Sequence, residues 1–196
     1  MKEVIEFENI IADFYGSKYA VATDCCTHAL ELCLRYNTPV NSCCPKRTYL
    51  SVPMTFMKLN IPFLWSDESW QDYYYLGNTN IIDAAVYWKE KGYISGTLMC
   101  LSFQFKKHLN LGRGGMILTD DVDAYKKLSK MRYDGRDITL PWQEQDIDTL
   151  GYHYYMTPET AIRGIDEFYR VKQIPARQWT DQDYIDISTM KVFNGN

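Results

Sequence analysis

The sequence predicts an α/β fold with a mainly parallel sheet flanked by helices. Two observations predict it. Short apolar runs too brief to be helices alternate with stretches whose apolar residues recur at helical spacing. The apolar runs lack the polar alternation of a half-exposed sheet, so their strands are buried on both faces. A third observation bears on function: two of these runs end in residues that carry chemistry, Asp83 after Asn80-Ile81-Ile82 and Lys106-Lys107 after Leu98-Met99-Cys100-Leu101-Ser102-Phe103. Ligands in such folds sit at the carboxyl ends of strands.

The elements follow in order. Val4, Phe7, Ile10, Ile11 and Phe14 share one helical face, and Gly16 stands where a helix ends. Tyr19 to Thr23 reads as a buried strand. Thr27 caps a helix that runs through Arg35, with Ala29, Leu30, Cys33 and Leu34 inward. Val40 to Cys44 is a short strand stopped by Pro45. A helix covers about Tyr49 to Leu59, with Pro53 tolerated in its first turn. Pro62 to Trp65, Ile81-Ile82, Thr97 to Leu101 and Gly115 to Thr119 are further strands. Asp121 begins a helix that runs to about Tyr133, and Thr157 begins another with Ala161, Ile162, Ile165 and Phe168 on one face. After Pro175 the pattern is weak.

Composition narrows the function classes. Of 196 residues, 23% are charged and 46% hydrophobic, as in an ordinary soluble domain. A net charge of −4 with no basic stripe argues against nucleic acid as partner. No apolar span of about 18 residues points to a membrane, and no secretory leader is visible. The six cysteines form no Cys-x-x-Cys pair, so no metal site is expected, and their thiols are read as free in a reducing cytoplasm. Sixteen tyrosines suggest an aromatic subunit interface.

A lysine and an acid at strand ends are what pyridoxal phosphate requires: an amine to form the Schiff base and a carboxylate to keep the pyridine nitrogen protonated. Taken alone, Lys106 and Lys107 are equal candidates, and a surface lysine after an edge strand is an equal reading. The turn Thr23-Asp24-Cys25-Cys26-Thr27 leads into a helix whose first amides, with the Thr27 hydroxyl, suit a phosphate.

Ordered blocks then carry a resemblance. They run from Phe7-Glu8 and Tyr15-Gly16-Ser17-Lys18-Tyr19-Ala20-Val21 through Cys25-Cys26-Thr27-His28-Ala29-Leu30, Thr48-Tyr49 and Ile61 to Asp67. They continue with Ile82-Asp83-Ala84-Ala85, Ser102-Phe103 with Lys107 and Gly112-Arg113-Gly114-Gly115, Arg132 to Gly135, and Gly151 to Thr157. In this order the chain resembles the DegT/DnrJ/EryC1/StrS family of pyridoxal-phosphate-dependent sugar aminotransferases. The resemblance implies the large domain of the PLP-transferase (aspartate aminotransferase-like) fold over residues 1–175. It leaves 176–196 as a short remnant or tail in place of a small domain.

It also assigns roles. Lys107, five residues after Ser102, would be the Schiff-base lysine and proton carrier, and Asp83 would hold the pyridinium. Cys26, Thr27 and Ser102 would hold the phosphate, Tyr49 would stack on the ring, and His153 would reach across a homodimer interface. Substrates would be an amino acid donor, glutamate first, and a keto-sugar nucleotide. Departures stand beside the matches: Cys26 for a glycine, Val86 for a polar residue, Arg113 for a glutamate and Tyr155 for an arginine. With the shortened interval from Asp67 to Asp83, they leave a catalytically reduced member, acting as a PLP-binding or interaction protein, as the alternative. For His28 and the Tyr73-Tyr74-Tyr75 run, surface and packing roles are expected.

Overall fold

A computed structural model describes residues 1–193. The last three residues of the expected 176–196 segment lie outside the described residues. The chain runs α1 (Lys2–Tyr15), β1 (Tyr19–Thr23), α2 (Cys26–Asn37), β2 (Ser42–Pro45), α3 (Ser51–Lys58), β3 (Phe63–Ser66) and β4 (Tyr74–Tyr75). It continues with β5 (Ile81–Asp83), β6 (Leu98–Ser102), β7 (Gly115–Thr119), α4 (Val122–Met131) and α5 (Pro158–Val171). Gly16 ends α1 at φ 82°, a left-handed position that favours glycine. Asp121 caps α4 through the amides of Asp123 and Ala124, and Thr157 caps α5 through that of Thr160. Thr27 is not the cap of α2: Cys25 is, and no side chain caps that helix.

The fold class is α/β, but the sheet is mixed rather than mainly parallel. Its order is β1-β7-β6-β5-β4, with β2 and β3 paired separately and parallel. Within the larger sheet only β5 and β6 are parallel neighbours. The cause is β7. No helix separates it from β6, so the chain returns antiparallel and inserts between β6 and β1. Strands buried on both faces look alike in either direction, which hides this from the sequence. β1, β5 and β6 nevertheless point the same way, so their carboxyl ends share one edge.

Strand alternation sorts the core into two layers. Ala20, Ala22, Ile82, Met99, Leu101, Met116 and Leu118 face α1 and α5. Val21, Ile81, Leu98, Cys100 and Ile117 face α2 and α4. Gly164 on α5 lets that helix close on α1, since a Cβ there would stand 2.7 Å from the Phe7 ring. A buried ion pair locks the first layer: Arg132, 2% exposed, bonds Glu8 and the Ala22 carbonyl, while Glu8 also accepts from the Ala22 amide at 2.7 Å.

Candidate active site

Register assembles the site. Thr23 pairs with Gly115, and Gly115 with Ser102, so the start of α2 and the segment after β6 meet at one sheet edge. The approach needs glycine: a Cβ on Gly115 would fall 2.4 Å from the Cys25 carbonyl carbon. Residues 103–114 leave β6 and return to β7, pinned by Phe103 N–H to Gly114 O and Leu111 N–H to Phe103 O, both 2.9 Å. Within this connection a turn from Gln104 to Lys107 (2.8 Å) directs Lys107 inward and leaves Lys106 exposed.

Asp83 ends β5 and is buried. One carboxylate oxygen accepts from the Tyr74 hydroxyl at 2.5 Å, the other from the Ala85 amide at 3.0 Å. Thr48 in turn bonds the Tyr74 hydroxyl. Burial pushes the Asp83 carboxyl up from its ordinary value, against Tyr74, the Ala85 amide and Lys107, which hold it down. Burial likewise pushes the Lys107 amine down, opposed by the charge of Asp83 and by Cys26. Asp83 and Lys107 are thus close enough to act on each other, and both are biased towards their neutral forms. The Cys26 thiol is buried within reach of both charges and held protonated, by burial first and then by Asp83.

The other expected residues are placed as follows. Ser102 and Lys107 line one small cavity, and the Ser102 hydroxyl accepts from the Gln104 amide at 3.4 Å. Thr27 lies in the first turn of α2 and donates to Ser51 at 2.8 Å. Tyr49, 59% exposed, precedes α3. His153 is exposed, 3.1 Å from Asp134 and edge-on to Tyr155. His28 is more than a helix-surface residue. It stacks on Tyr154 with ring centroids 3.6 Å apart and bonds Asp24 at 2.6 Å. Burial lowers its pKa, but the bonds to Asp24 and Cys25 outweigh that and carry it up to about 9. Asp24, Cys25 and His28 could together offer ligands to a metal, but Asp24 is already held by His28 and by Arg113 at 2.6 Å.

Three residues of the site escaped the sequence reading. Tyr74 holds Asp83 rather than merely packing. Trp179 and Tyr184, both beyond Pro175, reach the strand ends: the Lys107 ammonium lies 5.7 Å from the Trp179 ring, and Tyr184 lines a cavity with Asp83 and Tyr74. No periodic signal marks them. The buried carboxylate, the half-buried amine and the uncapped start of α2 are a donor set that suits pyridoxal phosphate. Space is another matter. The cavity at Lys107 is about 20 Å³ and is lined in part by Trp179, and that at Asp83 is about 10 Å³ and is lined in part by Tyr184. Two larger clefts, of about 820 and 550 Å³, border α4 and include none of these residues.

An aspartate that ends β5 and a lysine in the turn after the adjacent parallel β6, beside a helix start, mark one edge of this α/β chain. The chain belongs to the DegT/DnrJ/EryC1/StrS aminotransferase family, whose family model matches residues 1–61 and 83–186. The fold is similar to that of AtS13 from Actinomadura melliaura (TM-score 0.76, 18% identity, 88% of this chain and 61% of that one). It is also similar to the sugar aminotransferase CalS13 from Micromonospora echinospora (0.71, 14%, 88% and 62%). A third similar structure is Spr1654 from Streptococcus pneumoniae, in its PLP form (0.70, 16%, 86% and 59%). The chain therefore spans about three-fifths of these structures. No curated protein matches it.

Proposed function

We propose that this chain is a pyridoxal-phosphate-dependent aminotransferase that moves an amino group from an amino acid, glutamate first, to a keto-sugar nucleotide. The observation that carries the reading is the buried Asp83 at the end of β5 beside the half-buried Lys107 in the turn after β6, each within the other's electrostatic reach. Pyridoxal phosphate, when bound, supplies the ring that withdraws electrons from the amino acid being processed. Asp83 would hold a proton at the ring nitrogen. Lys107 would attach the cofactor and, with its pKa lowered by burial, take and return a proton at the reacting carbon. The Thr27 and Ser102 hydroxyls and the first amides of α2 would hold the phosphate, with Cys26 closing that turn. Tyr49 and His153, exposed in one chain, would act within a homodimer, His153 from the partner. The sugar acceptor rests on family membership, and the cytoplasmic setting on the free thiols and on the lack of any helix, among the described residues, long and apolar enough to cross a membrane.

A second reading is favoured by one observation, the filled site: a member that keeps the fold but has lost turnover and serves as a binding or interaction protein. Incubation of the cofactor-supplemented protein with glutamate separates the two. Release of 2-oxoglutarate, stoichiometric with protein in the absence of an acceptor, is expected of the aminotransferase. No release from a protein that has taken up cofactor would favour the second reading.

A further inference from the structure

We propose that residues 177–187 form a plug that occupies the cofactor site and must leave it before pyridoxal phosphate binds. The proposal rests on the cofactor reading above and assigns that site a regulatory element.

Three observations carry it. First, Trp179 and Tyr184 stand at the two groups the cofactor would engage. Trp179 lines the small cavity of Lys107 and Ser102, and Tyr184 that of Asp83, Tyr74 and Thr48. The Tyr184 phenol is pushed up by burial and then by the nearness of Asp83, Asp183 and Cys26. Second, the remaining space of about 20 and 10 Å³ compares with the ~300 Å³ or more of an ordinary small-molecule site. Cofactor and plug cannot occupy it together.

Third, the plug is held by a few discrete bonds. The Asp72 amide donates to Trp179 O at 2.8 Å, and the Trp179 amide donates to the Asp72 carboxylate at 3.0 Å. The Asp181 amide donates to Trp70 O at 3.0 Å, and Arg47 donates to Tyr184 O at 2.8 Å. Trp70 and Tyr184 pack with ring centroids 5.4 Å apart, and Arg177 covers the outer face of Trp179 at 4.2 Å. Trp179 and Tyr184 are themselves only partly buried, whereas Ile187 and Phe193 beyond them are buried. The far end is therefore anchored, and lifting the segment between breaks only these bonds and ring contacts.

The docking edge is particular to this chain. Trp70, Gln71 and Asp72 lie in residues 62–82, the stretch that the family model leaves unmatched. The same stretch supplies Tyr74 to Asp83. One departure from the family thus builds both the edge that receives the plug and the hydroxyl that binds the carboxylate beneath it.

A plug that is mostly closed lowers the apparent cofactor affinity by the fraction of time it is open. The test measures pyridoxal phosphate uptake by visible absorption for the full chain and for the double variant Trp179→Ala, Tyr184→Ala. Hydrogen exchange of residues 177–187 is followed in the unaltered chain with and without cofactor. The expected results are uptake at least about tenfold tighter in the variant and faster exchange of 177–187 when cofactor is bound. Uptake of equal affinity, or slower exchange in the loaded protein, would overturn the plug and leave the cofactor reading intact. No uptake by either protein would overturn the cofactor reading, and the plug with it. The exchange measurement needs no substitution, so it decides even if the double variant fails to fold.

Discussion

Two acid–base pairs lie on this sheet, one buried and one with a half-buried base, and they are built differently. Glu8 and Arg132 bond each other directly and share the Ala22 backbone between them, so each charge is met both by its counter-charge and by the backbone. Asp83 and Lys107 form no ion pair among the described residues. Asp83 is held by a tyrosine hydroxyl and an amide, and Lys107 faces a tryptophan ring. The first arrangement fixes α1, β1 and the end of α4 in place. The second leaves a carboxyl pushed up and an amine pushed down, both by burial and both towards their neutral forms. Burial alone does not distinguish scaffold from site; mutual satisfaction of the charges does.

Substitution sharpens the contrast. Glu8→Ala strands a buried guanidinium, and the expected loss is about 3–5 kcal/mol in urea unfolding at neutral pH. A loss below about 1 kcal/mol would remove the distinction from the scaffold side. Lys107→Met and Asp83→Asn are expected to do the reverse, keeping or raising stability by on the order of 1 kcal/mol while abolishing cofactor uptake. The pH dependence follows from the signs. Lys107, lowered from 10.5, contributes stability that is present above 10.5 and is lost as pH falls through its folded value. Asp83, raised from 3.8, contributes stability that is present below 3.8 and is lost as pH rises through its folded value. Each variant's advantage over the unaltered chain should therefore grow towards neutral pH, from the alkaline side for Lys107→Met and the acid side for Asp83→Asn. Thermal melts across pH 3–11 check this, and a loss as large as that of Glu8→Ala would make Asp83 and Lys107 a structural pair.

Most elements before Pro175 were legible in the sequence because their signals are local. Gly16 ends α1, Asp121 caps α4, and apolar runs of strand length fall where strands occur. The family resemblance, through its five-residue step from Ser102, prefers Lys107 over Lys106, and the structure turns Lys107 inward while Lys106 stays in solvent. The direction of β7 was not legible, since residues buried on both faces carry no record of which neighbour they pair with. Nor was the role of Tyr74, one of three consecutive tyrosines, because only the β4–β5 pairing aims its hydroxyl at Asp83. The segment after Pro175 has no period of its own. Its backbone is satisfied by isolated pairings, Thr180 with Gln71 and Asp186 with Arg47, and such long-range contacts leave no trace in local spacing.

The most direct test of the site is chemical. Pyridoxal phosphate added to the protein and fixed by borohydride should label a single peptide, with the phosphopyridoxyl group on Lys107. Label on Lys106, on scattered surface lysines, or on none would contradict the assignment of the strand-end lysine as the point of attachment.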